Sequence, residues 1–221
     1  KCWEDIQTVM WDKYNFDNFT LRLARDLSEV EAAQRLRYDV FIDEMGANSD
    51  FADHDARLEI DKFDEYCDHL LLFDNNELDK NMGVVGVYRV LPYHKLPTFA
   101  DYYSHEEYDL KKLKTSGRKI MELGRSCVHR SYRDGTALTY LWAGLSKYVE
   151  YNGIEILFGV ASFHGTDPSR IASSLSLLHY NYLAPPDLMV NAKSPNNHRM
   201  DLVDLHKVDR VEAVKQIPSL I

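Results

Sequence analysis

The stretch KIMELGRSCVH, Lys119–His129, places an acid and a base, Glu122 and Arg125, inside what reads as a strand. Strand side chains alternate faces, so a spacing of three sends the two charges to opposite sides. Gly124 lies between them, and a glycine within a strand marks a bulge. One extra residue there brings both charges to the same face. The acid then stands beside the base at a local opening in a sheet. A carboxylate so placed can serve as a general base, and the arginine can orient it or grip a substrate carboxylate in a bidentate contact. The plain alternative is a buried structural ion pair.

The surrounding elements must hold that opening. Trp3, Ile6, Met10 and Tyr14 recur at helical spacing over residues 1–18, an acidic N-terminal appendage docked on the body or left as an arm. FTLRLAR, Phe19–Arg25, alternates as a first strand. Ser28 and Glu31 form a capping box, and a helical pattern runs from there to a stop at Gly46. Arg37 lies on its apolar stripe, either snorkelling at the core edge or pointing into a site. Residues 48–69 read as a solvated acidic loop, long enough for a functional role. HLLLF and GVVGVYRVLP read as a strand pair, and a short helix is expected near Tyr108–Lys114. A helix over Thr136–Asn152 stops at Gly153, and EILFGVAS follows as a strand buried on both faces. Strand, glycine turn, helix and strand make a βαβ unit whose helix start favours anions. Asp167 and Pro168 open another helix, two short β-prone segments lie near 188–193 and 199–205, and a last helix starts near Asp209.

The formal charge of −9 argues against a nucleic-acid partner. No apolar run reaches membrane-spanning length, and Cys2, Cys67 and Cys127 fit neither a zinc knuckle nor a disulfide framework. No metal site is expected. The chain begins at Lys1 rather than Met, so a trimmed sequence is expected, and a cytoplasmic location is the simple reading of its cysteines.

LRYDVFIDEMGA, EIDKFDEYCDHLLL, VVGVYRVLP, MELGRSCVHRSYRDG, LWAGLSKYV, GIEILFGVASFHGTDP and LHYNYLAPP together resemble the ornithine-lipid N-acyltransferases. These belong to the hemolysin-like branch of the GNAT superfamily, close to the acyl-homoserine-lactone synthases. The resemblance implies one α/β (α+β) domain over 19–221, with a central mixed sheet splayed into a V and flanking helices. It implies transfer of a 3-hydroxyacyl chain from the 4′-phosphopantetheine of acyl carrier protein to the α-amine of an amino acid, most simply L-ornithine, with no bound cofactor. Glu122 and Arg125 match the catalytic acid–base pair, and Arg37, Phe41, Asp61, Asp64 and Arg89 match acceptor-side residues. Gly124, Ser126, Cys127 and Val128 at the bulge, Arg133, Gly135 and Ala137 at the helix start, and Phe163 and His164 after the next strand are the expected pantetheine and acyl contacts.

Asp61 or Asp64 would meet the second amine of ornithine, or would pair with Arg37 or Arg89. The carrier protein is acidic, so its dock must be a local cationic patch. Lys111, Lys112, Lys114, Arg118 and Lys119 supply one, with Lys147 and Arg170 as additions. The amphiphilic product implies loose contact with the inner membrane face. Three departures stand out. The superfamily phosphate turn is one residue short at Arg133, Gly135 and Ala137, which fits a carrier-protein donor better than free coenzyme A. Ala47 replaces the tryptophan usual in lactone synthases, and the chain stops at Ile221 where relatives continue. The competing readings are a lactone-synthase-type or acetyl-coenzyme-A-dependent transferase, and a non-catalytic module binding carrier protein or lipid headgroups.

Overall fold

A computed structural model of the chain describes residues 14–47, 52–77, 81–163, 165, 167–195 and 197–218. Most of the expected N-terminal helix, with Trp3, Ile6 and Met10, and also His164, lie outside the described residues. The chain divides into two compact units, residues 1–101 with 119–158 and residues 102–118 with 159–221.

The first unit contains strands β1 (Asn15–Phe16) and β2 (Phe19–Leu23) and helix α1 (Leu27–Arg37). Next come β3 (Ala52–Asp53), β4 (Leu58–Glu59), β5 (Asp68–Asp74) and β6 (Val84–Pro92). The second unit opens with β7 (Tyr108–Asp109) and helix α2 (Lys111–Thr115). The chain then returns to the first unit as β8 (Ile120–Val128), helix α3 (Thr136–Asn152) and β9 (Ile156–Gly159). The rest of the second unit holds α4 (Ala172–Asn181), β10 (Asn191–Ala192) and α5 (Arg210–Gln216).

A six-stranded sheet runs in the order β1-β2-β5-β6-β8-β9. The pairs from β1 to β8 are antiparallel. At the last pair, the backbone N–H groups of Glu155 and Ile156, at the start of β9, donate to the carbonyl of Lys119, at the start of β8. The two starts meet, so these strands run the same way, as a helical crossover requires. The sheet is mixed. Leu70, Leu72, Tyr88, Val90 and Met121 pack with Leu141, Leu145 and Tyr148 of α3. Leu71, Phe73, Val87 and Cys127 pack with Ala32, Ala33 and Leu36 of α1. Alternation thus gives each helix its own face of the sheet.

Several expectations need correction. Asp26, not Ser28, caps α1: its carboxylate accepts from the Glu29 N–H, and Ser28 donates to it. Glu29 and not Glu31 is then drawn inward, to Arg22. The helix does not run on regularly to Gly46 but becomes π-helical over Tyr38–Glu44. β9 is the end strand of its sheet, and its residues alternate between half-buried and exposed instead of being covered on both faces. Tyr108–Asp109 is a strand, paired with Asn191–Ala192, and the short helix begins only at Lys111. Residues 199–205 form no strand. Among the described residues, the acidic loop contains a hairpin, Ala52–Asp53 with Leu58–Glu59, and two of its acids, Glu59 and Asp61, are buried, with Asp64 partly so. By contrast α3 spans Thr136–Asn152 as expected, closed by Gly153 at φ 61°.

Candidate active site

The ladder between β6 and β8 breaks where the sequence predicts. Val87 faces Cys127 and Arg89 faces Gly124, so the single Tyr88 is left opposite both Arg125 and Ser126. The extra residue is a β-bulge. Arg125 sits in it at φ 50°, a conformation costly for any residue but glycine. Leu91 faces Glu122 and Arg89 faces Gly124, so alternation puts Glu122, Gly124 and Arg89 on one face, the face covered by α1. A Cβ built on Gly124 would meet no heavy atom within 4 Å. Glu122, two residues along on the same face, is buried at 5 % exposure.

The bulge delivers the Arg125 guanidinium to two acids. Its Nε lies 2.9 Å from Glu59 Oε1 and its Nη2 lies 3.1 Å from Asp61 Oδ2. Asp61 Oδ1 takes Arg89 Nη1 at 2.6 Å, and the same nitrogen reaches Asp64 Oδ1 at 2.8 Å. Asp64 receives Arg37 through Nη1 at 2.9 Å and Nη2 at 2.7 Å. Arg37 Nε stands 2.6 Å from Glu59 Oε2, which closes the circuit. Three arginines and three carboxylates alternate around a ring of zero formal charge. Arg37 also donates to the backbone carbonyl of Glu59. Asp61 and Asp64 therefore pair with the arginines, one of the two roles open to them. The Arg125 side chain keeps 15 % exposure, whereas Arg37 keeps none and Arg89 4 %. Arg125 is the arginine of the ring that a substrate can reach most readily.

Burial alone would raise the Asp64 carboxyl. Hydrogen bonds from Arg37 and the charges of Arg37 and Arg89 overcome it and hold Asp64 well below the ordinary carboxylate range. Burial likewise opposes the charge of Arg37, and Asp64 reverses that, so its guanidinium stays ionised. His69, opposite Arg89 in the register, has Nε2 3.2 Å from the Asp64 carbonyl. Burial pushes His69 down to about 4, against the pull of Asp64, so it is neutral near pH 7. Gln34 donates to Asp64 at 2.9 Å. Burial raises the Cys127 thiol to about 12, and it packs as core. Phe41, on the π-helical stretch, packs against the same cluster.

The other expected contacts are dispersed. Arg133 binds Glu44 through both Nη atoms, at 2.5 and 2.9 Å, and donates from Nε to the Val128 carbonyl. Gly135 enters α3 at φ 97°, and Asp134 accepts from the Thr136 N–H. Ala137 is core beneath that turn, and Val128 packs on the same cluster. Phe163 belongs to the second unit. Of the proposed dock, Lys111, Lys112, Lys114 and Arg118 are exposed in the second unit. Lys119 lies in the first, its ammonium 3.2 Å from the point a Cβ on Gly153 would occupy, at the C-terminal end of α3. Lys147 pairs with Glu150, and Arg170 lies 3.7 Å from Asp167.

Residues 36–143 match the family model for the acetyltransferase (GNAT) domain. The L-ornithine N(alpha)-acyltransferase of Rhodobacter capsulatus is 45 % identical over 205 residues, 92 % of this chain and 78 % of that protein. This chain belongs to the L-ornithine Nα-acyltransferase family. A second member, from Brucella abortus, is 36 % identical over 204 residues, 91 % of this chain and 73 % of its own length. Among solved structures, the AHL synthase LasI aligns with a TM-score of 0.46 at 18 % identity, over 65 % of this chain and 72 % of that one. The fold is the mixed α/β GNAT-like one of an acyltransferase. What sequence reasoning missed in this family member is Glu59, which links two arginines of the ring, together with Gln34 and His69. Its one sign was an acid two positions before Asp61, on a segment whose acids all read alike.

Proposed function

We propose that this chain joins a 3-hydroxyacyl group to the α-amine of L-ornithine, taking it from the phosphopantetheine thioester of acyl carrier protein. The observation that carries this reading is the interrupted β8 ladder, where buried Glu122 shares a face with Gly124, over which a side chain would find open space, and Arg125 stands at the most accessible point of a neutral ring. The amine nitrogen attacks the thioester carbonyl; the C–N bond forms, the C–S bond breaks, and the sulfur leaves as a pantetheine thiol.

An α-ammonium with a pKa near ~8 is about nine-tenths protonated at pH 7. Glu122 takes that proton, directly or through one water, and releases it to solvent; it then takes the second proton from the nitrogen of the tetrahedral intermediate and passes it to the departing sulfur, a role worth roughly 10²–10⁴ in rate. Backbone N–H groups of the bulge stabilise the oxyanion. Arg125 grips the ornithine carboxylate, and the other five ring members fix its position. Glu44 on Arg133 and Asp134 at the start of α3 support a carrier-protein donor, because both put carboxylates where free coenzyme A would bring a pyrophosphate.

The test is Glu122→Gln, assayed by mass spectrometry with acyl carrier protein and ornithine. Turnover should fall by at least about a hundredfold, with carrier-protein affinity retained. Unchanged turnover removes Glu122 from the base role. Absence of N-acylornithine with the parent protein removes the reading as a whole.

A further inference from the structure

The second unit carries ten Lys and Arg against nine Asp and Glu, whereas the first carries 16 against 26. Only the second unit has a charge balance that tolerates an anionic surface. Its cations are also concentrated. Lys111, Lys112, Lys114 and Arg118 fall within eight residues, all exposed, on and just after α2. Lys112 Nζ donates to the Pro186 carbonyl at 2.6 Å, which fastens α2 to the segment that follows α4. The pairing of Asp109 with Asn191 holds the same two stretches together a few residues away.

That segment begins with two large side chains turned to solvent, Tyr182 at 61 % and Leu183 at 49 % exposure. Leu183 is three residues from Pro186, so its Cα lies within about 10 Å of the anchored proline. A cationic helix and an exposed Tyr–Leu pair are therefore tethered close together within one unit. Ion-pair docking of an acidic protein uses the cations and leaves Tyr182 and Leu183 without a role. An anionic bilayer uses both: lysines and arginines gain from the negative surface, and tyrosine and leucine enter the headgroup boundary. The chemistry of the reaction points the same way, since an N-acyl amino acid is an amphiphile that must pass from protein to lipid.

We propose that Lys111, Lys112, Lys114 and Arg118, with Tyr182 and Leu183, form a contact surface for anionic lipid, on which the protein rests at a membrane without spanning it. The proposal relies on the acyl-transfer reading only for the nature of the product. Among the described residues no helix is long and apolar enough to cross a bilayer.

The experiment is co-sedimentation of the purified chain with vesicles, with no substrate present. Binding is expected to phosphatidylcholine vesicles containing about a third phosphatidylglycerol, at least about tenfold weaker to pure phosphatidylcholine, and fading as salt rises. Tyr182→Ser with Leu183→Ser should weaken it about tenfold while circular dichroism and lipid-free turnover stay unchanged. Lys111→Glu with Lys114→Glu should weaken it at least as much. No binding to the anionic vesicles overturns the proposal, as does binding indifferent to either pair of substitutions. If reversing the lysines weakens carrier-protein binding while the Tyr182 and Leu183 pair leaves vesicle binding intact, the patch is a protein dock and the lipid surface is wrong. Failure here leaves the acyl-transfer reading standing, because that reading is judged by product formation.

Discussion

Arg37 shows how a single side chain comes to matter more than its position in a helix suggests. It is fully buried, and both carboxylates that neutralise it, Glu59 and Asp64, are themselves buried. Removing one partner from such a group leaves charge with neither water nor counter-ion, at a cost of roughly 3–5 kcal/mol. Arg37→Met should therefore lower the unfolding free energy by about 3 kcal/mol in a urea titration, whereas Arg35→Met, on an exposed pair, should move it by less than about 0.5. A small loss at Arg37 would mean that the ring is not closed in solution. The sequence flagged Arg37 because a charge sat on an apolar stripe. It flagged Arg125 by its spacing to Glu122 across Gly124, and Asp61, Asp64 and Arg89 because their neighbours resembled known words. Glu59 escaped, since its burial is decided by Arg125, 66 residues further on, and no local pattern records that meeting.

At the level of elements, the glycine inside a strand was informative and the helix signals were only partly so. The bulge was legible from Gly124, although the displaced residues are Arg125 and Ser126. The boundaries of α3 were legible because propensity, a positive-φ entry at Gly135 and a positive-φ exit at Gly153 agree. The π-helical turn after Arg37 was not, because it follows from packing of Tyr38 and Val40, which are buried and break the regular period. The bulge gives a test that separates fold from function. Gly124 keeps an ordinary negative φ and has open space where a Cβ would go. Gly124→Ala should leave the denaturation midpoint unchanged within about 0.5 kcal/mol. It should nevertheless raise KM for the acyl donor about tenfold by filling the open space over residue 124, a gap of ~1.4 kcal/mol in binding. Unaltered kinetics would show that the donor does not pass over residue 124.

Over the whole molecule, buried titratable groups set the response to acid. His69 is neutral in the folded protein down to about 4, while in the unfolded chain it takes a proton near the ordinary histidine value of 6.5. As pH falls through that window the unfolded state binds a proton that the folded state refuses, so stability declines, by up to about 3 kcal/mol for this shift. Asp64 adds a second limb. Its folded value lies below the ordinary aspartate value of 3.8, so its contribution is complete above that value and is lost as pH drops towards the depressed one. The unfolding free energy should thus begin to fall near pH 6.5, well before carboxylates titrate. His69→Gln keeps a side-chain N–H for the Asp64 carbonyl but cannot titrate. In that variant the urea midpoint should stay nearly flat from about pH 7 to about pH 4.5 and then drop as in the parent protein. A parent protein without the early decline, or a variant that retains it, would show that His69 is not the buried neutral group beside the ring.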